Sequence, residues 1–209
     1  FAFVEKEDPV AAAAAIVELA TKELPRRLGI APADVQVLVP MHKGTLGAIA
    51  LNAALQGRLN AAGPKVVPHR NLRVGDKVMQ VKNDYEKDVW NGDVGLVVRA
   101  SRENNELRVR YDDREVTYGA EGLDNLELAY AVSVHKSQGS EYPAVVIPML
   151  MNHFVMLSRN LLYTAVTRGK RLVVLVADPR AVSLSLAEIR REARNTHLSA
   201  RLRAAIAPR

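Results

Sequence analysis

The chain has 209 residues, 48% hydrophobic and 25% charged, a globular balance that excludes wholesale disorder. It lacks cysteine, which excludes a disulfide framework, thiol catalysis and thiolate metal sites and fits a reducing, cytoplasmic compartment. Its net charge of +6 is lopsided, with eleven Arg and Lys against three acids from Ser158 to Arg209, which suits either a polyanionic partner such as nucleic acid or an Arg-rich solvated surface. The apolar runs stop well short of the ~20 residues a membrane span needs, so no membrane is expected as a partner. No cationic start leads into an apolar run and a cleavage site, so no signal peptide is expected.

Residues 1–4 read as a strand, and the lack of a start methionine there fits a segment of something longer. Asp8-Pro9 reads as an N-cap with proline at the first helical position. Val10, Ala13, Ala14, Val17, Ala20, Thr21 and Leu24 follow at helical spacing, with Gly29 past the end. Residues 35–39 form a β-branched run that stops at Pro40, and a loop then leads into a second helix whose inner side is Leu46, Ile49, Ala50, Ala53 and Leu59. Strand, loop and helix in that order are the unit of a parallel α/β sheet.

The pattern changes after Gly63-Pro64. Short β-type runs at 77–81, 94–98, 107–111 and 115–118 are separated by Val74-Gly75-Asp76, Asn91-Gly92-Asp93, Asn104-Asn105 and Asp112-Asp113, all turn-forming. This spacing suits a small antiparallel β-barrel inserted into the α/β unit. Residues 1–64 and 122–209 are therefore assigned to the α/β fold and 65–121 to the insert. Strands are expected at 126–131, 144–148 and 171–176, a helix at 161–167 capped by Ser158, a second Asp-Pro cap at Asp178-Pro179, and one or two amphipathic helices over 181–206.

Two segments carry the chemistry. Tyr130-Ala-Val-Ser-Val-His-Lys-Ser-Gln-Gly-Ser-Glu-Tyr142 gathers charge, hydroxyls, an amide and a glycine into one loop, expected at the carboxyl edge of the sheet, where α/β folds bind ligands. Gly139 lets the backbone approach a phosphate, and Lys136, Ser137 and Gln138 supply donors. Asn160-Leu-Leu-Tyr-Thr-Ala-Val-Thr-Arg-Gly-Lys-Arg171 ends a helix in three cations. They suit a phosphoryl group or the helix macrodipole.

Together the His-Lys-Ser-Gln-Gly-Ser-Glu and Tyr-Thr-Ala-Val-Thr-Arg segments resemble motifs V and VI of superfamily 1 DNA helicases, above all the RecD branch, with conjugative relaxase-helicases nearby. Val39-Pro-Met-His-Lys-Gly-Thr-Leu-Gly47 is similar to the motif IV neighbourhood. The resemblance covers nearly the whole chain. It implies a second RecA-like motor domain with an inserted Src-homology-3-like barrel, working with ATP and Mg²⁺ held mainly by a first RecA-like domain, on single-stranded DNA and duplex junctions, and moving 5′→3′.

By the same resemblance Arg168 is the arginine finger, Gly139 and Gln138 lie near the γ-phosphate, and Glu141 accepts from the ribose. Ser133, His135 and Lys136 contact the single strand, and Pro40, His42, Lys43 and Gly44 grip a further phosphate.

The 209 residues contain no Gly-x4-Gly-Lys-Ser/Thr loop, so this segment alone is expected to be inactive as an ATPase. The run 172–178 has a Walker B outline, but Asp178 before Pro179 reads as an N-cap, and Asp112-Asp113 as a hairpin turn. His42, His69, His135, His153 and His197 are scattered, and no metal site is expected. In the insert, Arg70, Arg73, Lys77, Lys82 and Lys87 interleave with Tyr85 and Trp90, the mixture single-strand binding uses. Asp76, Asp84, Glu86 and Asp88 count against that use, and Trp90 is equally suited to a core position. A stand-alone nucleic-acid-binding or docking module without ATPase activity is the alternative reading, as is part of a conjugative relaxase-helicase.

Overall fold

The structure, a computed structural model, describes residues 1–67, 70–101, 105–112, 114–188 and 198–206. His69, Asn104, Asp113, His197 and the middle of the expected 181–206 helical stretch lie outside the described residues. Strand β1 (Ala2–Glu5) leads to helix α1 (Pro9–Glu18), where the Asp8 carboxylate accepts from Ala11 N at 2.7 Å. A π-helical turn, Leu19–Glu23, continues into α2 (Leu24–Leu28), and Gly29 caps it at φ +62°. The wide turn admits Pro25, which has no N–H for a regular helical bond.

Strand β2 (Val35–Val39) and helix α3 (Ala48–Leu59) complete the first α/β unit. The chain then forms β3 (Lys65–Val67), β4 (Arg70–Arg73), β5 (Lys77–Gln80), β6 (Val94–Ser101), β7 (Glu106–Tyr111), β8 (Arg114–Tyr118) and β9 (Leu126–Leu128). The α/β pattern resumes with β10 (Ala131–Ser133), β11 (Tyr142–Met149), α4 (Arg159–Val166), β12 (Gly169–Ala177), α5 (Pro179–Ala187) and α6 (Leu198–Ile206).

The main sheet runs β1-β12-β11-β2-β10, every pairing parallel. Its inner strands β2 and β11 are buried on both faces, which explains their continuous apolar runs. On one side α1 and α3 pack through Ile16, Leu51 and Leu55 against Val37, Val146 and Val174. On the other, α4 and α5 pack through Leu161, Ala165 and Ala181 against Leu38, Val145 and Leu175. The small sheet, β8-β7-β6-β5-β9, is antiparallel and encloses its own core of Val78, Val97, Leu107, Val109 and Tyr118. Gly75, Gly92, Asn105 and Asp112 all have positive φ, the conformation their turns require.

Three expectations are corrected. The buried face of α1 is Ala12 and Ile16, with Val10 exposed; that of α3 is Ala48, Leu51, Asn52, Leu55 and Gln56, with Ile49, Ala50 and Ala53 exposed. The single strand expected over 126–131 is two: Leu126–Leu128 pairs antiparallel with β5, whereas Ala131–Ser133 pairs parallel with β2. Lys77, read as a surface cation, is buried.

The root of the small sheet is a polar seat. Asp76, in the turn just before β5, and Lys77, the first residue of β5, tie it to two different sets of partners. The Asp76 carboxylate accepts from Gln56 Nε2 (2.6 Å), Asn60 Nδ2 (2.7 Å), Arg73 N (2.7 Å) and the Tyr130 hydroxyl (3.0 Å). Lys77 Nζ donates to the Ala33 carbonyl (2.8 Å) and Gln36 Oε1 (2.9 Å) and lies 5.6 Å from the Tyr142 ring centre.

Burial pushes the Lys77 pKa down to about 8 from its ordinary 10.5. The unfolded chain therefore binds more protons between these values, and stability rises with pH across that window. Comparing urea denaturation of wild type and Lys77→Met at pH 7 and pH 10.5 should show the difference moving in favour of wild type by roughly 3 kcal/mol. A difference independent of pH would contradict the buried ammonium.

Candidate nucleotide and DNA interface

The loop after β2 is built around glycine. A Cβ on Gly47 would collide with the His42 and Lys43 carbonyls, and Gly44 turns at φ +94°. The Met41 and His42 carbonyls accept from Ala48 N and Ile49 N at 3.2 Å each, satisfying two free amides of the α3 N-terminus. Anion capture by this loop would therefore fall to the exposed His42 and Lys43 side chains, while Pro40 is buried beneath them.

The segment 130–142 crosses the sheet. Ser133 pairs with Val39 at the carboxyl edge, whereas Tyr142 pairs with Gly169 at the amino edge. The two levels are six strand positions apart, roughly 20 Å. Only the start of this loop meets the carboxyl-edge expectation; its end and Arg168 lie at the amino edge. The physical reason is parallel pairing: β11 must start again at the bottom of the sheet.

At the upper end, His42, Ser133 and Lys136 share a groove of about 470 Å³ with Ile49 and Asn52 of α3 and Met79 of the small sheet. Asn52 is spent on structure, bonding both the N–H and the carbonyl of Ala131 (2.9 and 2.7 Å). Lys136 Nζ pairs with Glu127 at 2.8 Å, both partly exposed, so a phosphate would have to displace a weak surface pair. His135 and Gln138 line a second cleft of about 330 Å³ against the cap Ser158 and Asn160 and Thr164 of α4. Ser137, read as a donor, is buried and spends its hydroxyl on the Val134 carbonyl at 2.7 Å.

At the lower end, Gly139 turns at φ +86° with open space where a Cβ would stand, a backbone that favours glycine. Glu141 is exposed and paired with Lys170 at 3.1 Å. Arg168 is half-buried. Its Nε donates to the Thr164 carbonyl, Nη1 to the Ser140 carbonyl and Nη2 to Thr167 Oγ1, each at 3.1 Å. Two of the five guanidinium N–H groups remain available for an anion. Ser158 caps α4 through Leu161 N at 3.2 Å.

Residues 128–176 match the family described as the UvrD-like helicase C-terminal domain, and residues 51–111 the ATP-dependent RecD-like DNA helicase SH3 domain. The ATP-dependent RecD2 DNA helicase of Deinococcus radiodurans is 42% identical over 180 residues, covering 86% of this chain and 25% of that protein. The chain belongs to the RecD-like superfamily 1 helicases. It is a C-terminal helicase region.

The RecBCD enzyme subunit RecD of Mycobacterium tuberculosis is 30% identical over 216 residues, covering 96% of this chain and 36% of that subunit. This chain thus spans about a quarter to a third of these relatives. The solved structure of Pif1 helicase from Bacteroides in complex with ADP-AlF3 and single-stranded DNA has the same fold, with TM-score 0.53 and 18% identity over 96% of this chain and 54% of that one. The parallel sheet is the RecA-like fold, and the small antiparallel sheet is the SH3-like element.

The Deinococcus radiodurans relative is, by its name, an ATP-dependent enzyme. Among the described residues no group of three His, Cys, Asp or Glu could hold a metal ion. The Arg168 guanidinium, a cationic N–H donor, and the exposed Gln138 amide offer donors of the kind an anionic phosphate edge accepts. No described helix is long and apolar enough to cross a membrane.

Sequence reading missed the Asp76–Lys77 seat. It also placed Trp90 ambiguously; the ring is exposed and meets Tyr85 edge-to-face at 5.3 Å. Of the insert's cations, Arg70 opens β4, Arg73 is tied to the Asn60 and Ala61 carbonyls, Lys87 pairs with Asp84 at 2.7 Å, and Lys82 is exposed.

Proposed function

We propose that the chain is the second motor half of an ATP-driven DNA helicase, moving 5′→3′, and that Arg168 is its arginine finger. The observation that carries this is the pose of Arg168 on the Ser140 carbonyl, beside the Ser-Gln-Gly turn, with N–H groups to spare. In this reading ATP and Mg²⁺ are held mainly by a first RecA-like domain of the same longer polypeptide. Arg168 supplies positive charge where negative charge grows on the transferring phosphoryl group. Gln138 and Gly139 border the nucleotide, and Glu141 exchanges Lys170 for the ribose hydroxyls. This segment alone would not turn over ATP.

Single-stranded DNA, leading from a duplex junction, would run along the carboxyl edge over Pro40, His42, Lys43 and Gly44 and on past Ser133, His135 and Lys136. The motor unit is 1–64 and 122–209, with 126–128 lending one strand to the inserted small barrel of 65–121. Because the loop 134–141 spans both edges of the sheet, it is the mechanical link between the strand grip and the nucleotide edge. The site would act in a cytoplasmic enzyme.

The strand track is testable through salt. In the longer polypeptide, Lys43→Ala should weaken binding to a single-stranded oligonucleotide and reduce the slope of log K against log salt by about 0.7, the share of one lost phosphate contact. A slope equal to wild type would take Lys43 off the track.

A further inference from the structure

Helix α3 carries two apolar stripes. Leu51 and Leu55 enter the main core, whereas Ile49 and Ala53, one turn apart, stay outside it, with Ile49 55% exposed. Both line the groove of about 470 Å³, together with the buried Met79 of the small sheet. Met79 stands opposite Glu127 in the β5–β9 pairing, so their side chains share a face. Strand β9 is an edge strand that pairs with β5 alone. Val81 N–H bonds the Asn125 carbonyl, and Ala129 N–H the Lys77 carbonyl. By the alternation of an antiparallel ladder, Leu128 then turns its N–H and carbonyl away from β5 to the open edge, and Leu128 lines the same groove. Apolar walls, one backbone donor–acceptor pair and a rim of His42, Ser133 and Lys136 thus meet in a single concavity, the composition of a small-ligand site.

Resting on the strand track read for this edge, we propose that the groove takes a nucleobase of the single strand, packed between Ile49 and Met79 while its phosphate lies on the rim. The base is flat and uncharged and suits the apolar walls, and its polar edge meets the Leu128 backbone. The phosphate suits Lys136, His42 and the exposed Lys43 just before α3. Glu127, the acid of the lining, is exposed and paired with Lys136, so it turns to solvent as the phosphate replaces it. A docked protein would need a face of about 800 Å², whereas this is a cavity on the ~300–1,000 Å³ scale of small ligands. Because apolar contact and backbone groups do the holding, the grip tolerates different bases, as a moving motor requires.

The test is Ile49→Ala in the longer polypeptide, measured with an oligothymidylate and with a strand of equal length carrying abasic sites. The variant should bind the base-bearing strand roughly five-fold more weakly, the effect of losing a partly covered apolar contact, and the abasic strand as wild type does. The slope of log K against log salt should be unchanged, since no phosphate contact is lost. The melting temperature should also be unchanged, since Ile49 lies outside the core.

Wild-type affinity of Ile49→Ala for the base-bearing strand, or an equal loss on both strands, would overturn the base pocket. With a reduced salt slope in Lys43→Ala, either result would leave the strand track standing. A wild-type slope in Lys43→Ala together with wild-type affinity in Ile49→Ala would remove the track and the pocket together.

Discussion

Replacing Arg168 with alanine in the longer helicase polypeptide is expected to cut DNA-stimulated ATP turnover by ~10³-fold, with ATP and single-strand affinities within a few-fold of wild type. The expectation follows from what the side chain touches. Its three bonds end on the Thr164 and Ser140 carbonyls and the Thr167 hydroxyl, half-exposed groups that water can satisfy once the guanidinium is gone. Stability should therefore change little, and the loss falls on the charged transition state. Lysine should rescue poorly, because a point charge on a flexible stem does not reproduce the planar fork. A variant that loses nucleotide binding as severely as turnover would show that Arg168 holds the ground state.

The largest stability effect is expected at Asp76. Its fully buried carboxylate is held by four neutral donors from α3, its own turn and Tyr130. Asp76→Ala would strand all four donors beside a new cavity, and breaking such a network typically costs about 3–5 kcal/mol. Against a total stability of about 5–15 kcal/mol, that should detach the small sheet from α3 before the parallel sheet melts. Hydrogen exchange should show protection lost first in β5 and β9, and urea denaturation should show a lowered first transition. Asp76→Asn is expected to fare nearly as badly, since its amide presents donors to donors. A cost under 1 kcal/mol for Asp76→Ala would mean the seat is held by apolar contact alone.

The contrast between Asp178 and Asp76 explains what could be read from sequence. Asp8, Ser158 and Asp178 cap their helices because a cap needs only a side chain and an amide two or three residues on, a relation visible in any short window. Gly75, Gly92, Asn105 and Asp112 are turn residues for equally local reasons. Asp76 meets residues 16, 20 and 54 positions away, and Lys77 meets Gln36 41 positions away. No window contains those partners, so the pair read as ordinary turn and surface charges.

The helix faces failed for a related reason. Asn52 and Gln56 sit in the buried stripe of α3 because they bind the Ala131 backbone and the Asp76 carboxylate. A search for apolar periodicity passes over them and settles on the exposed Ile49 instead. In α1 the π turn at Leu19–Glu23 shifts the register that a regular helix would keep. At the site, the residue types were legible, but their division between two edges of the sheet was not. That division depends on where β11 pairs with β2, at Ala144 with Val35, and register is a property of the sheet rather than of the loop.

The central claim, that Arg168 serves the transition state of a nucleotide held elsewhere, is tested most directly by comparing affinities for ADP with and without aluminium fluoride in wild-type and Arg168→Ala polypeptides. A transition-state finger strengthens binding of the fluoride complex over ADP alone, so the variant should lose most of that preference while binding ADP as wild type does. Equal preference in the two proteins would contradict the assignment.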